Sequence, residues 1–308
     1  MKTESWNTFK KWLRHPLVQV AFIAIILALI GRHLANQWSQ IRAESFSLNP
    51  LLLAVAQFGF IIGLLILPSG GWLLARALGT PVSKASMWHA FNLGMVAKYL
   101  PGSVWSLPSR AVLYRGLGVS RSLEVIYWET GLMVVAATGV ALFGLPIFIK
   151  LDVFLAIILL LGGGSAAFMV GSWLLKRGWL SNRLPDFDLQ LTLPNIVATL
   201  LTYVLAWIIL GLSFMLMVRA TGGAWNIYTI GLFAGGWAVG FLSILTPGGI
   251  GIRDGILIIG VGIFANDPIP LVAAILARIC WTVAEVGALL LTYYNKRHNA
   301  VISKSIPE

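Results

Sequence analysis

Charge is what this sequence has least of. Asp, Glu, Lys and Arg make up 11% of its 308 residues, whereas apolar residues make up 58%. Soluble domains carry about 25% charged residues, so the composition excludes an ordinary soluble domain. Carboxylates are the scarcer sign, at 11 against 22 basic residues and a net charge of +11. The one cysteine, Cys280, excludes an intramolecular disulfide and says nothing of redox compartment. Polar stretches are never longer than about 20 residues, which leaves no room for a separate soluble domain. No Walker loop, no G-x-S-x-G and no His, Cys, Asp or Glu cluster at metal-ligand spacing occurs. The expectation is a protein that is not an enzyme and uses no cofactor.

What is present is apolar length. The mean hydropathy is +0.86, and the runs of apolar residues predict an all-α polytopic membrane protein. Spans are expected at about 17–35, 49–77, 122–148, 153–175, 194–218 and 268–294. The first follows Lys10, Lys11 and Arg14 like a signal peptide, but it lacks a small-x-small cleavage site and reads as an uncleaved span. Pro68, Ser69, Gly70 and Gly71 predict a kink in the second span. Gly162, Gly163 and Gly164 give the fourth a face for close helix packing. Residues 1–15 form a basic amphipathic tail and 296–308 a basic cytoplasmic tail.

Two further segments, 81–118 and 226–264, are interrupted by proline and glycine. The second contains LTPGGIGIRDG, with Pro247, Gly248, Gly249 and Gly251 leading into Arg253 and Asp254. The first contains YLPGSVW, with Pro101, Gly102 and Trp105 ahead of Arg110. Proline fixes φ and removes a donor, and glycine permits close backbone approach, so each run predicts a broken, re-entrant helical hairpin. The pattern of two spans, a broken hairpin and a span occurs twice, in 16–148 and 149–295, at an offset near 146 residues. Three crossings plus a hairpin make an odd count, so the second copy is expected upside down: two inverted repeats. Sixteen Lys and Arg then gather on one side and five on the other, which places both termini in the cytoplasm of an inner-membrane protein. Charge confined to tails and alternate loops also argues against nucleic acid as a partner.

A half-helix end inside a membrane offers unpaired N–H groups and a positive dipole end to an anion. Arg253 and Arg110 follow the two breaks, and Lys98 precedes the first by one turn. Guanidinium groups grip phosphate with paired hydrogen bonds. Arg253, Arg110, Lys98 and the glycines and prolines of both breaks are therefore candidate contacts for a lipid phosphate, with Trp105 as a wall. The plainer alternative is internal ion pairing, in which Arg253 holds Asp254 or Glu285 and Lys98 snorkels. Glu129, Asp254, Arg278 and Glu285 read as coupling groups or structural ion pairs. Arg278 and Glu285 are seven residues apart on a similar helical face.

YLPGSVW with its downstream arginine, followed by TPGGIGIRDG, resembles the lysylphosphatidylglycerol synthase transmembrane family over about 17–294. Pro247, Gly248, Gly249, Gly251 and Arg253 match that family's second motif, and Asp254 stands where glutamate is common. The resemblance implies a flippase-like membrane domain without the aminoacyltransferase domain of the bifunctional members. The expected function is translocation of an anionic phospholipid or isoprenoid-linked lipid. The alternative is a membrane scaffold that presents lipid to a separate glycosyl- or aminoacyltransferase. An intramembrane enzyme would have only His89, Glu129, Asp254 and Glu285 as acid–base groups. Membrane lipids are the expected partners, with a lipid-modifying transferase as a candidate one. The sequence leaves the oligomeric state open.

Overall fold

The computed structural model describes residues 48–80, 82–97, 110, 114, 119–150, 162, 191–242 and 251–305. Every regular element among them is helical. Helix α1 spans Pro50–Ala77, α2 Lys84–Ala97 and α3 Val119–Ala141. A short 3-10 turn, Leu142–Gly144, joins α3 to α4, Leu145–Phe148. Then come α5 Leu193–Ala220, α6 Thr229–Leu242, α7 Ile252–Gly262 and α8 Ile269–Ser305. Four stretches are long and apolar enough to cross a membrane: Pro50–Ala77, Arg121–Phe148, Leu193–Ala220 and Ile269–Tyr293. They fall within three residues of four of the expected spans. The expected spans at 17–35 and 153–175, the glycine face at Gly162, Gly163 and Gly164, and the N-terminal tail lie essentially outside the described residues.

The chain starts and stops α1 and α5 in the same way. Each has 28 residues and a proline in its first turn. Asn49 caps α1 with its side chain, accepting from the N–H groups of Leu51 and Leu52. An arginine closes each last turn, Arg76 and Arg219, where a cation complements the helix dipole. A glycine at positive φ follows each, Gly79 at 69° and Gly222 at 96°. The helix ends, the closing arginines and the glycines of α5 each lie 143 residues after their equivalents in α1, and the proline 144.

These two helices pack against each other antiparallel. Gly59 faces Ser213, Gly63 faces Leu210 and Gly70 faces Tyr203, so partners descend α5 as they ascend α1. A Cβ on Gly63 would sit 2.5 Å from Leu210 Cγ, which shows how closely the backbones approach. Without a hydrophobic drive between helices in lipid, such small-residue contact supplies the association. Pro68, Ser69, Gly70 and Gly71 do not interrupt α1, which stays helical throughout. The glycines there leave room for side chains from α5 and α3.

Three further helices, α2, α6 and α7, are shorter within the described residues, and α2 and α6 run up to the edge of those residues. Their 14, 14 and 11 described residues reach about 21 Å at most at 1.5 Å per residue, against about 30 Å of hydrocarbon. α6 and α7 form an antiparallel hairpin, with Gly236 opposite Leu257 and Gly260 opposite Leu232. Positions 229–240 of α6 are all buried, enclosed by α3, α5 and α7. The arrangement is reciprocal: α3 packs on α6, while α8 packs on α2. α8 also packs on α7, so it touches an arm of each interrupted segment.

Candidate functional site

Two buried arginine centres occupy the interior. The first is built on Arg110, which is 1% exposed. The Tyr114 N–H donates to the Arg110 carbonyl at 3.0 Å, one helical turn of the expected second arm. That turn aims both side chains at one carboxylate. Arg110 Nη1 and the Tyr114 hydroxyl each donate to Glu129 Oε2 of α3, both at 2.9 Å. The guanidinium carbon also lies 5.3 Å from the Phe91 ring centroid on α2. A third helix completes the pocket: a Cβ on Gly71 of α1 would strike Glu129 Oε1, and one on Gly70 would lie 2.6 Å from Tyr203 Oη. Among the described residues, Glu129 Oε1 and Tyr203 Oη have no hydrogen-bond partner. The carboxylate thus holds a cation and a phenol through one oxygen and keeps the other for a further donor.

The second centre is built on Arg253, the second residue of α7. Its guanidinium carbon sits 4.7 Å from the Phe233 ring centroid on α6 and 4.6 Å from that of Trp281 on α8. Phe60 of α1 and Phe214 of α5 pack against Phe233 at 5.6 and 5.2 Å. Cation–π contact is strongest for arginine over tryptophan in a desolvated setting. The Trp281 indole donates to Glu285 Oε1 at 2.6 Å, which draws the buried carboxylate to the edge of this cage. Beside it, Arg278 grips Asp254 with two bonds, Nε to Oδ1 at 3.1 Å and Nη2 to Oδ2 at 2.8 Å. Asp254 Oδ2 accepts from the Gly251 N–H at 3.2 Å. This ties the start of α7, where Gly251 has φ 89°, to α8.

The expected residues thus divide into pairs. Arg110 takes the internal partner Glu129. Asp254, weighed above as a partner for Arg253, is held by Arg278, while Arg253 lies between rings. Arg278 and Glu285 share a helix but reach Asp254 and Trp281 respectively. His89 and Asn92 are buried on α2, and the Asn92 amide donates to the Trp88 carbonyl. Lys98, Pro101, Gly102, Trp105, Pro247, Gly248 and Gly249 lie outside the described residues. Sequence reasoning did not single out Tyr114, Tyr203, Phe91 or Phe233. The spacing of Arg110 and Tyr114, one turn apart, is the signal that marks the first of these. Trp281, one of thirteen tryptophans, is a wall of the Arg253 cage. Among the described residues no cluster of metal-ligating side chains occurs.

The centres also share a plan. In each, an arginine lies over a phenylalanine of a preceding short helix, Arg110 over Phe91 and Arg253 over Phe233. The arginines are 143 residues apart and the phenylalanines 142. No family model, curated protein or solved structure matches the chain.

Proposed function

We propose that this chain is a lipid translocase of the cytoplasmic membrane, built from two inverted repeats, that moves an anionic phospholipid or isoprenoid-linked lipid between leaflets. The observation that carries the reading is the pair of guanidinium groups buried in an apolar, membrane-length helix assembly. Charge at such depth is costly and marks substrate pathways. The support for the repeats is the near-constant separation of landmarks in α1 and α5, their antiparallel packing and the exchanged contacts of α3 and α8. In this reading α6 and α7 form a re-entrant hairpin, α2 belongs to another, and the headgroup phosphate meets Arg253 and Arg110 near the breaks. Glu129, Asp254, Arg278 and Glu285 then couple or brace the two centres.

The deciding assay is translocation of fluorescent phospholipid in proteoliposomes. Arg253→Ala should slow the initial rate by about ten- to a hundredfold, the loss of about 1.5–3 kcal/mol of charge-assisted bonding. Arg253→Lys should fall between, because an ammonium cannot reproduce the planar fork. A folded Arg253→Ala protein working at the wild-type rate removes Arg253 from the mechanism. Wild-type protein that moves no lipid but copurifies with a transferase favours the scaffold alternative. The repeat plan has its own check. In a Cys280→Ser background, impermeant maleimide should label Ser83→Cys and Trp225→Cys from opposite sides of the membrane. Labelling of both from one side defeats the inverted arrangement.

A further inference from the structure

We propose a second anion site at the corner between α1 and α2, one that takes a phosphate group held at the membrane surface. An open notch of about 550 Å³ lies there, lined by Trp72, Arg76, Thr80, Ser83 and Lys84 among others. That is within the range of about 300–1,000 Å³ typical of ligand pockets.

Two cations converge in it. The Arg76 guanidinium carbon lies 4.8 Å from the Trp72 ring centroid and the Lys84 ammonium 4.5 Å from the same centroid. Sharing one ring keeps the two charges within about 9 Å of each other, comparable with the Debye length of about 8 Å at physiological salt. Like charges at that range repel. Among the described residues no ion pair involves either cation. Nor is there an Asp or Glu anywhere between Glu44 and Glu124. The Thr80 hydroxyl donates to the Ala75 carbonyl and the Ser83 hydroxyl to Ser86, which leaves the two cations as the donors, while Trp72 gives an amphipathic floor suited to the membrane interface. A divalent or monovalent phosphate group neutralises such a pair.

The matching corner after α5 shows what the corner looks like without a second cation. There Arg219 lies 6.0 Å from the Trp225 ring centroid and donates to its own chain, Nη1 to the Gly223 carbonyl at 3.1 Å. The arginine that closes α5 is used up by the turn that follows. The one that closes α1 is turned, with Lys84, toward open space. The α1–α2 corner is also on the side where basic residues gather, the face that meets anionic lipid.

A phosphate group at this corner can belong to a lipid headgroup or to a free phosphate ester. Native mass spectrometry of the detergent-purified chain separates the two, with dioleoylphosphatidylglycerol, dioleoylglycerol and glycerol 3-phosphate as probes. Beyond any lipid held at the Arg253 and Arg110 centres, wild-type protein should hold one more phosphatidylglycerol that dioleoylglycerol does not replace. The Arg76→Gln/Lys84→Gln variant should bind that lipid at least tenfold more weakly. Lys150→Gln, an exposed cation elsewhere, should leave it unchanged. Displacement by glycerol 3-phosphate assigns the site to free phosphate esters, and persistence of the lipid at millimolar glycerol 3-phosphate assigns it to headgroups. A folded double variant that binds phosphatidylglycerol as wild type does overturns the site. Because binding is read at equilibrium, without transport, a chain that moves no lipid passes or fails this test all the same.

Discussion

Glu129→Ala should cost about 3–5 kcal/mol of stability in detergent unfolding, or yield no folded protein, because it strands a buried cation. Arg110 is 1% exposed and Glu129 fully buried, so water cannot replace the lost carboxylate. Tyr114 loses its acceptor in the same step. Glu129→Gln keeps an acceptor oxygen for both donors and should cost less. Removing both charges with Glu129→Leu and Arg110→Met should recover most of the loss, since apolar replacements of a buried pair are often neutral. That double variant separates bracing from function. Recovered stability with lost lipid movement gives Arg110 a role beyond its partner. A Glu129→Ala protein as stable as wild type disproves the buried pair.

The second large effect belongs to a glycine. Gly231 at the start of α6 meets Gly144 of the 3-10 turn backbone to backbone. A Cβ on Gly231 would lie 2.7 Å from Gly144 Cα, also 2.7 Å from the Phe143 carbonyl carbon, and closer still to the Gly144 nitrogen. Real Cβ contacts do not come nearer than about 3 Å, and no side chain can turn aside because the obstacle is main chain. Gly231→Val should therefore exceed the usual overpacking cost of about 1–3 kcal/mol and lower the yield of folded protein sharply. Gly139 on α3 is the control, for a Cβ there meets nothing within 4 Å. Gly139→Ala should be neutral or add about 0.5–1 kcal/mol in the helix interior. Equal yields for Gly231→Val and Gly139→Ala, measured by size exclusion in detergent, would mean the two backbones do not touch.

The long helices were legible because their signal is one-dimensional. An apolar run either reaches across hydrocarbon or does not, and the expected 194–218 became Leu193–Ala220. Shorter apolar helices flank both expected breaks, while Pro101, Gly102, Pro247 and Gly248 themselves lie outside the described residues. What the linear text hides is choice of partner. Asp254 is adjacent to Arg253 yet holds Arg278, 24 residues away. A neighbour one residue along a helix points elsewhere, whereas a facing helix can present a guanidinium edge-on. Trp281 looked like one of thirteen tryptophans, and only the approach of α7 to α8 makes it a wall for Arg253. The run around Pro68 has a role that its linear pattern hides. Proline and paired glycines usually bend a helix. Here the glycines are the clearance that Tyr203 and Glu129 require.

The crossed packing of α3 on α6 and of α8 on α2 has a consequence for how the molecule can be taken apart. Each portion of the polypeptide supplies the roof over the other's weakest piece. If the gene were severed within codons 151–190, each product would leave one face of its short helices uncovered. The two products would have to clasp each other before quality control removed them, as obligate complementing fragments.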